Sequence, residues 1–527
     1  MACRRILRQI VQITAQRRKR CTAAAATTAG CPFHRPVKAA PEAPLTKSDV
    51  DSLKPFEAIP APKGLPLVGT LFDLIRKGGS QKIHEYCDMR HRELGPIFRE
   101  KLGTVDAVVL SDKDYIQRVY YSEGRYPVHM VPEAWLIYNE LKGIKRGLFF
   151  MDGEQWRDRR KLLNEALLSM GEVTKYEQAF NDVVTDLTDR WQTVSRREKD
   201  GVVPNLENEL YNWSIETLGT MVFGRRLGCV LPPQYKNQMH EFVYYVQQIF
   251  TESAKLSVIP PKLASTLKLP VWRRFVNAAD HALQMAREYT EERISEIKNL
   301  QAAGEEVPGV LSQLLQCEDV SRDETVNIVA DLILAAADTT SHATQWALYS
   351  LAKHPECQEK FFSQIKAVVP PGQIITMNHL EKIPYAMWII KETLRLYPIA
   401  SFLTRVLPEK IVLGDYEIPA GKLFVMSQYT IGRNPEEFEN PDSFKPERWD
   451  RSSKDRRPMS NGCMPFGIGA RSCIGRRVAE LKMRLLLARA VQRFHLESAN
   501  ERDVGISMRL ITAPDEPIRL RFKQRSS

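Results

Sequence analysis

The chain has 527 residues, of which 43% are hydrophobic and 26% charged. That balance excludes wholesale disorder, a collagen and a coiled coil, and the length suffices to bury a large enzyme interior. The formal net charge is +11, but Arg4, Arg5, Arg8, Arg17, Arg18, Lys19, Arg20, Arg35 and Lys38 supply nine positive charges before the first acid, Glu42. The remainder is nearly balanced, which removes the support for a nucleic-acid surface.

Residues 1–41 are acid-free, Arg-rich and interspersed with Thr and Ala. This is the composition of an organelle transit peptide and predicts mitochondrial import, the alternative being a plain basic tail. A mixed polar linker over 42–59 follows. No window holds the roughly 20 mostly apolar residues that a spanning helix needs. The nine cysteines are scattered, with no C-x-x-C pair and no His pair at zinc spacing, which argues against a secreted disulfide framework and a structural zinc module.

Pro60, Pro62, Gly64, Pro66 and Gly69 predict a stiff, bent entry into one folded unit over 60–527. Short strands are expected at 97–101 and 105–110, and apolar spacing predicts dominantly helical structure from about 134 to 398. Strands at 410–416 and 423–427, a proline-containing meander over 434–449, a helix over 474–494 and a closing β-pair complete the chain. The expected class is mainly α with small β-sheets at the edges.

Residues 464–475 form a glycine-rich loop that delivers Cys473 to a helix start. Glycines let the backbone bend tightly and let a flat ligand approach, and helix-start amides stabilise a thiolate. Phe466, Gly469, Arg471, Cys473 and Gly475 match every fixed position of Phe-x-x-Gly-x-Arg-x-Cys-x-Gly, and here the chain resembles the cytochrome P-450 superfamily. The resemblance implies the fold in which heme b lies between a long distal helix and a proximal cysteine loop. It makes Cys473 the axial thiolate on the iron and counts Phe466 among the cofactor-binding residues. Trp156 and Arg160 match the family's helical W-x-x-x-R pair, and with Arg405 and Arg471 they are implied to bind the heme propionates, for which a guanidinium fork suits a carboxylate. Glu392, Arg395 and Arg448 match its E-x-x-R and following Arg, implying a buried structural network.

Residues 335–340, Ala-Ala-Ala-Asp-Thr-Thr, interrupt an apolar helix with three tiny side chains, an acid and two hydroxyls. Read alone, this is as much a packing notch as a ligand wall. It resembles the family's distal A-G-x-D/E-T-T element with Ala336 for Gly. That implies a catalytic pair: Thr339 to position water and dioxygen, Asp338 to relay protons.

Such chemistry needs electrons, yet no flavin or nicotinamide fingerprint is present, so a partner must supply them. Lys391, Arg476, Arg477 and Lys482 are expected to form a basic docking patch. Mitochondrial members carry similar residues and use a 2Fe-2S ferredoxin with its NADPH-dependent reductase, although Met387 stands where a further lysine is common. Blocks at 62–70, 95–100, 126–135, 146–151 and 260–272 resemble insect mitochondrial members that hydroxylate a steroid, 2-deoxyecdysone, at carbon 2 to give ecdysone. Two rival readings stay open: the same reaction on another sterol or a foreign lipophile, and a heme-thiolate sensor without turnover. Segments 128–138, 399–403 and 510–512, mostly apolar with a few hydroxyls, are expected to line the substrate pocket. Residues 253–275 lack acids and interleave cations with apolar residues, consistent with peripheral contact on the matrix side of the inner mitochondrial membrane or with an ordinary surface connection.

Overall fold

The computed structural model of the protein describes residues 52–230, 239–370, 372–450, 452 and 463–525; the expected transit segment and the linker up to residue 51 lie outside them. The helices that build the site are α1 (Leu71–Arg76), α2 (Glu133–Lys142), α3 (Gly153–Leu168), α4 (Glu177–Arg197), α5 (Leu206–Phe223), α6 (Met239–Lys255), α7 (Pro261–Thr266), α8 (Pro270–Ala302), α9 (Arg322–Lys353), α10 (Pro384–Leu396) and α11 (Arg476–Arg493). Proline opens α7, α8 and α10, where its fixed φ suits the first turn and its missing N–H costs nothing.

The 32 residues of α9 span about 48 Å at the usual rise. Ser321 caps it by accepting the Glu324 N–H at 3.2 Å, while Asp323 and Glu324 lie in its first turn and Lys353 in its last, each favourable to the helix dipole. Most of its circumference is buried, as expected of a helix enclosed by others. Helix α5 packs along it, and α4, α10 and α11 close the same core, which contains the fully buried Trp191, Trp213 and Trp346.

At one edge lies a four-stranded sheet ordered β1 (Ile97–Leu102), β2 (Val105–Leu110), β6 (Leu423–Ser427) and β3 (Phe402–Val406). Only the β2–β6 contact is parallel. The single strand expected over 410–416 is instead half of a hairpin, β4 (Ile411–Leu413) and β5 (Tyr416–Ile418). Gly414, with φ of +55°, permits the tight reversal that a side chain would resist. The expected closing pair is two pairs, β7 (Phe494–Ser498) with β10 (Leu520–Gln524) and β8 (Ile506–Arg509) with β9 (Ile511–Pro514).

The folded body also begins before Pro60. Lys54 bridges to Tyr416, and Phe56 and Ile59 are buried in the apolar cluster around β2 and β6, so the end of the expected linker is packed structure.

Candidate active site

The cysteine loop owes its shape to two glycines. Gly467 and Gly469 have φ of +67° and +78°, and a Cβ on Gly469 would collide with the Glu123 carboxylate. The Cys473 N–H donates to the Phe466 carbonyl at 2.7 Å, folding the loop back so that the thiol meets the start of α11. The Cys473 side chain is accessible although it lies deep among protein atoms, and burial raises its thiol. The Gly475 N–H, Arg160 and Arg476 pull the other way, toward the thiolate that binds metal.

Beside the loop the structure gathers Trp156, Arg160, Arg405 and Arg471, four residues from three distant parts of the chain. The Arg471 guanidinium lies 4.3 Å from the Trp156 ring centre and donates to the Met151 carbonyl at 2.7 Å and the Asp152 carboxylate at 2.8 Å. Arg405 donates to Glu123 at 2.6 Å. Arg160 is buried with its Nε unpartnered, and burial lowers it to about 10. Three buried guanidiniums face two carboxylates here. That surplus, and the orphaned Nε, call for an anion.

Two residues that sequence reasoning did not single out complete the cluster. Both ring nitrogens of His129 are buried without a hydrogen-bond partner; burial, then Arg471 and Arg405, lower it to about 3, so it is a neutral donor toward the same anion. Glu123 holds Arg405 with one oxygen and accepts the Ala470 N–H at 3.0 Å with the other, locking the propionate candidates to the cysteine loop. The donor set and the accessible thiol fit heme b and its two carboxylates.

On α9, Leu332, Ala335, Ala336 and Thr339 remain accessible while their neighbours are buried. Their spacing of 0, 3, 4 and 7 puts them on one stripe. The Thr339 hydroxyl donates to the Ala335 carbonyl at 2.8 Å. Asp338 faces the opposite way, buried against α5, where it accepts the Tyr211 hydroxyl; its Oδ2 has no partner. Burial raises Asp338 to about 6. Among the expected pocket hydroxyls, Ser401 and Thr512 are buried and bonded to each other at 2.8 Å and to the Pro398 carbonyl, so they are spent within the protein.

The E-x-x-R expectation resolves into a closed network. Glu392 and Arg395 form a bidentate pair at 2.8 and 3.0 Å, both wholly buried. Glu392 also accepts from Arg448 Nε at 2.8 Å, Trp449 Nε1 at 2.9 Å and the Lys445 N–H at 2.9 Å. The basic patch is smaller than expected. Arg476 and Arg477 are half-exposed, but Lys482 is buried within the core, donating to Ser214 Oγ at 3.0 Å beside the Trp213 ring. Helix α11 turns that position inward, and burial lowers the Lys482 ammonium to about 7.

Comparison with known proteins agrees with this geometry. The cytochrome P-450 family profile matches residues 59–522. The chain is 36% identical over 501 residues to the mitochondrial cytochrome P-450 315a1 of Drosophila melanogaster, covering 92% of each chain. It is 34% identical over 496 residues to the mitochondrial sterol 26-hydroxylase of Rattus norvegicus, again covering 92% of each, and 28% identical over 468 residues to the rat mitochondrial 1,25-dihydroxyvitamin D(3) 24-hydroxylase, covering 89% of each. Among the described residues no helix is long and apolar enough to cross a membrane. With likeness running through nearly the entire folded body, the chain belongs to the cytochrome P-450 family, monooxygenases whose heme iron is held by a cysteine thiolate.

Proposed function

We propose that the protein is a mitochondrial steroid hydroxylase that draws electrons from a 2Fe-2S ferredoxin and its NADPH-dependent reductase and converts 2-deoxyecdysone to ecdysone. The observation that carries the chemistry is an accessible Cys473 at a helix start beside a buried surplus of guanidinium groups. Cys473 would hold the iron, Arg160, Arg405, Arg471, Trp156 and His129 would receive the propionates, and Phe466 would pack beside the heme at the loop. A bound heme would supply the activation of dioxygen, by which, with two electrons from the ferredoxin and two protons, one oxygen atom would enter a C–H bond and the other would leave as water. Thr339, on the accessible stripe of α9, orients water and dioxygen, and Asp338 holds the proton that cleavage of dioxygen consumes.

The substrate reading rests on likeness: the sequence blocks resembling the insect ecdysteroid 2-hydroxylase Shadow, and the sterol 26-hydroxylase and 1,25-dihydroxyvitamin D(3) 24-hydroxylase among the relatives. Mitochondrial placement rests on the acid-free N-terminal segment and on relatives described as mitochondrial. Arg476 and Arg477 are the charges for ferredoxin docking. For peripheral contact with the inner membrane, Leu263 and Leu267 stand exposed among Lys262, Lys268 and Arg273, and Leu65, Leu67, Phe72 and Ile75 stand exposed around α1. Val258 packs against the cluster holding Leu71 and Leu74, while Leu256 and Trp272 of the same segment belong to the core.

The test is turnover of 2-deoxyecdysone by the holoprotein with ferredoxin and reductase. Ecdysone as product is expected; hydroxylation elsewhere, or none, overturns the substrate reading. Cys473→Ala is expected to abolish the thiolate-type carbon monoxide spectrum, and an unchanged spectrum overturns the ligand assignment.

A further inference from the structure

The Asp338 side chain is 2% exposed and its carboxylate accepts the Tyr211 hydroxyl, so a proton it gives up must be replaced through protein. The residues around it form a graded line to the surface. His342, one turn further along α9 and also 2% exposed, has its Nδ1 2.9 Å from the Asp338 backbone carbonyl and 3.7 Å from the Asp338 carboxylate. A carbonyl only accepts, so Nδ1 carries the hydrogen and Nε2 presents a lone pair. That Nε2 has no hydrogen-bond partner and faces Glu207 of α5 at 3.7 Å. Glu207 is 19% exposed and pairs with Arg509 of β8, itself 36% exposed, at 3.2 Å. Tyr211, edge-on to the His342 ring at 5.7 Å, and Gln247 of α6, 3.5 Å from Glu207, complete the surroundings.

We propose that His342 and Glu207 form the proton-supply line of this chain, passing protons from the β8 surface to Asp338; the inference rests on the relay reading of Asp338 given above. The step balances without net chemistry on the imidazole. A proton taken up by the Glu207 carboxylate passes to Nε2, the imidazolium releases its Nδ1 proton to the Asp338 carboxylate, and the ring is left neutral with its hydrogen on Nε2; a tautomer shift, in which a solvent proton is added at Nδ1 and the Nε2 proton is lost to the Glu207 carboxylate, restores the starting form. The unpaired Nε2 is where the line gains a proton; the Asp338 oxygen that faces His342 is Oδ1, which also meets the Tyr211 hydroxyl, and the unpaired Oδ2 leaves the carboxylate free to hold the added proton. A group left unsatisfied in the core costs stability, which this transfer role explains. His342 and Glu207 act through Asp338 and are positioning residues.

The experiment uses the heme-loaded protein in four forms: wild type, His342→Gln, Glu207→Gln and Asp338→Asn. Substrate-induced spectral shifts with 2-deoxyecdysone verify that each variant keeps its site. His342→Gln is expected to lower ferredoxin-driven product formation on the order of a hundredfold, with a larger solvent deuterium effect, while product formation driven by an added organic peroxide, which brings its own oxygen and proton, stays within about twofold. Glu207→Gln is expected to move the pH profile of the ferredoxin-driven rate. Independently of turnover, the infrared carboxylic-acid band that Asp338→Asn removes is expected to titrate at a different pH in His342→Gln. If Asp338→Asn collapses the ferredoxin-driven rate and His342→Gln leaves rate, isotope effect and band unchanged, the supply line is overturned and the relay stands. If Asp338→Asn itself leaves the rate unchanged, the relay reading falls, and the His342 line with it.

Discussion

Glu392 and Asp338 are both buried carboxylates on core helices, and they are treated in opposite ways. Glu392 is met by five donors, from Arg395, Arg448, Trp449 and the Lys445 backbone. Asp338 has the Tyr211 hydroxyl on one oxygen and no partner on the other. A buried carboxylate met by five donors is fixed in place and serves rigidity. One that burial has raised to about 6 exchanges its proton near physiological pH. Satisfaction, more than burial, separates the structural acid from the chemical one.

The sharpest way to break this contrast is Glu392→Gln. It leaves the wholly buried Arg395 with an uncompensated charge, a loss of about 3–5 kcal/mol, and is expected to yield chain that neither folds stably nor incorporates heme, read by pigment content and thermal melting. Asp338→Asn should do the reverse, folding normally with heme bound. Its mark is in pH dependence. The folded acid is raised above its unfolded value of 3.8, so the folded state holds more protons between about pH 4 and 6 and wild-type stability falls as pH rises through that window. Melting curves are expected to show this slope in the wild type and its loss in Asp338→Asn; parallel slopes would erase the distinction.

The smallest effects concern the cations. Arg477→Glu, at a half-exposed site, is expected to weaken ferredoxin association several-fold, with less effect at high salt. Lys482→Met is expected to leave association unchanged, because that side chain is buried. Its stability signature has the opposite sign to that of Asp338. The folded ammonium is lowered to about 7, so the unfolded chain holds more protons between about pH 7 and 10.5 and stability rises with pH there. Lys482→Met should flatten that rise.

Much of this was legible in the chain before any coordinates. Cys473 and its glycines, the Glu392–Arg395 spacing, Trp156 with Arg160, and the notch at 335–340 are each set within a dozen consecutive residues, where backbone geometry and side-chain spacing act directly. The mainly helical class followed from apolar periodicity for the same reason. What stayed hidden depends on which distant segments meet. Lys482 reads as a surface charge until α11 turns it onto Trp213 and Ser214. Glu123 stays unremarked, and His129 reads only as part of a pocket segment, until the loop before α2 closes over the cysteine bend. Glu207, Tyr211 and His342 become one line only because α5 lies along α9. Local covalent rules specify the parts that hold an iron porphyrin; the remaining partners of each buried charge, and therefore which acid stays fixed and which one moves a proton, arise from packing between elements distant in the chain.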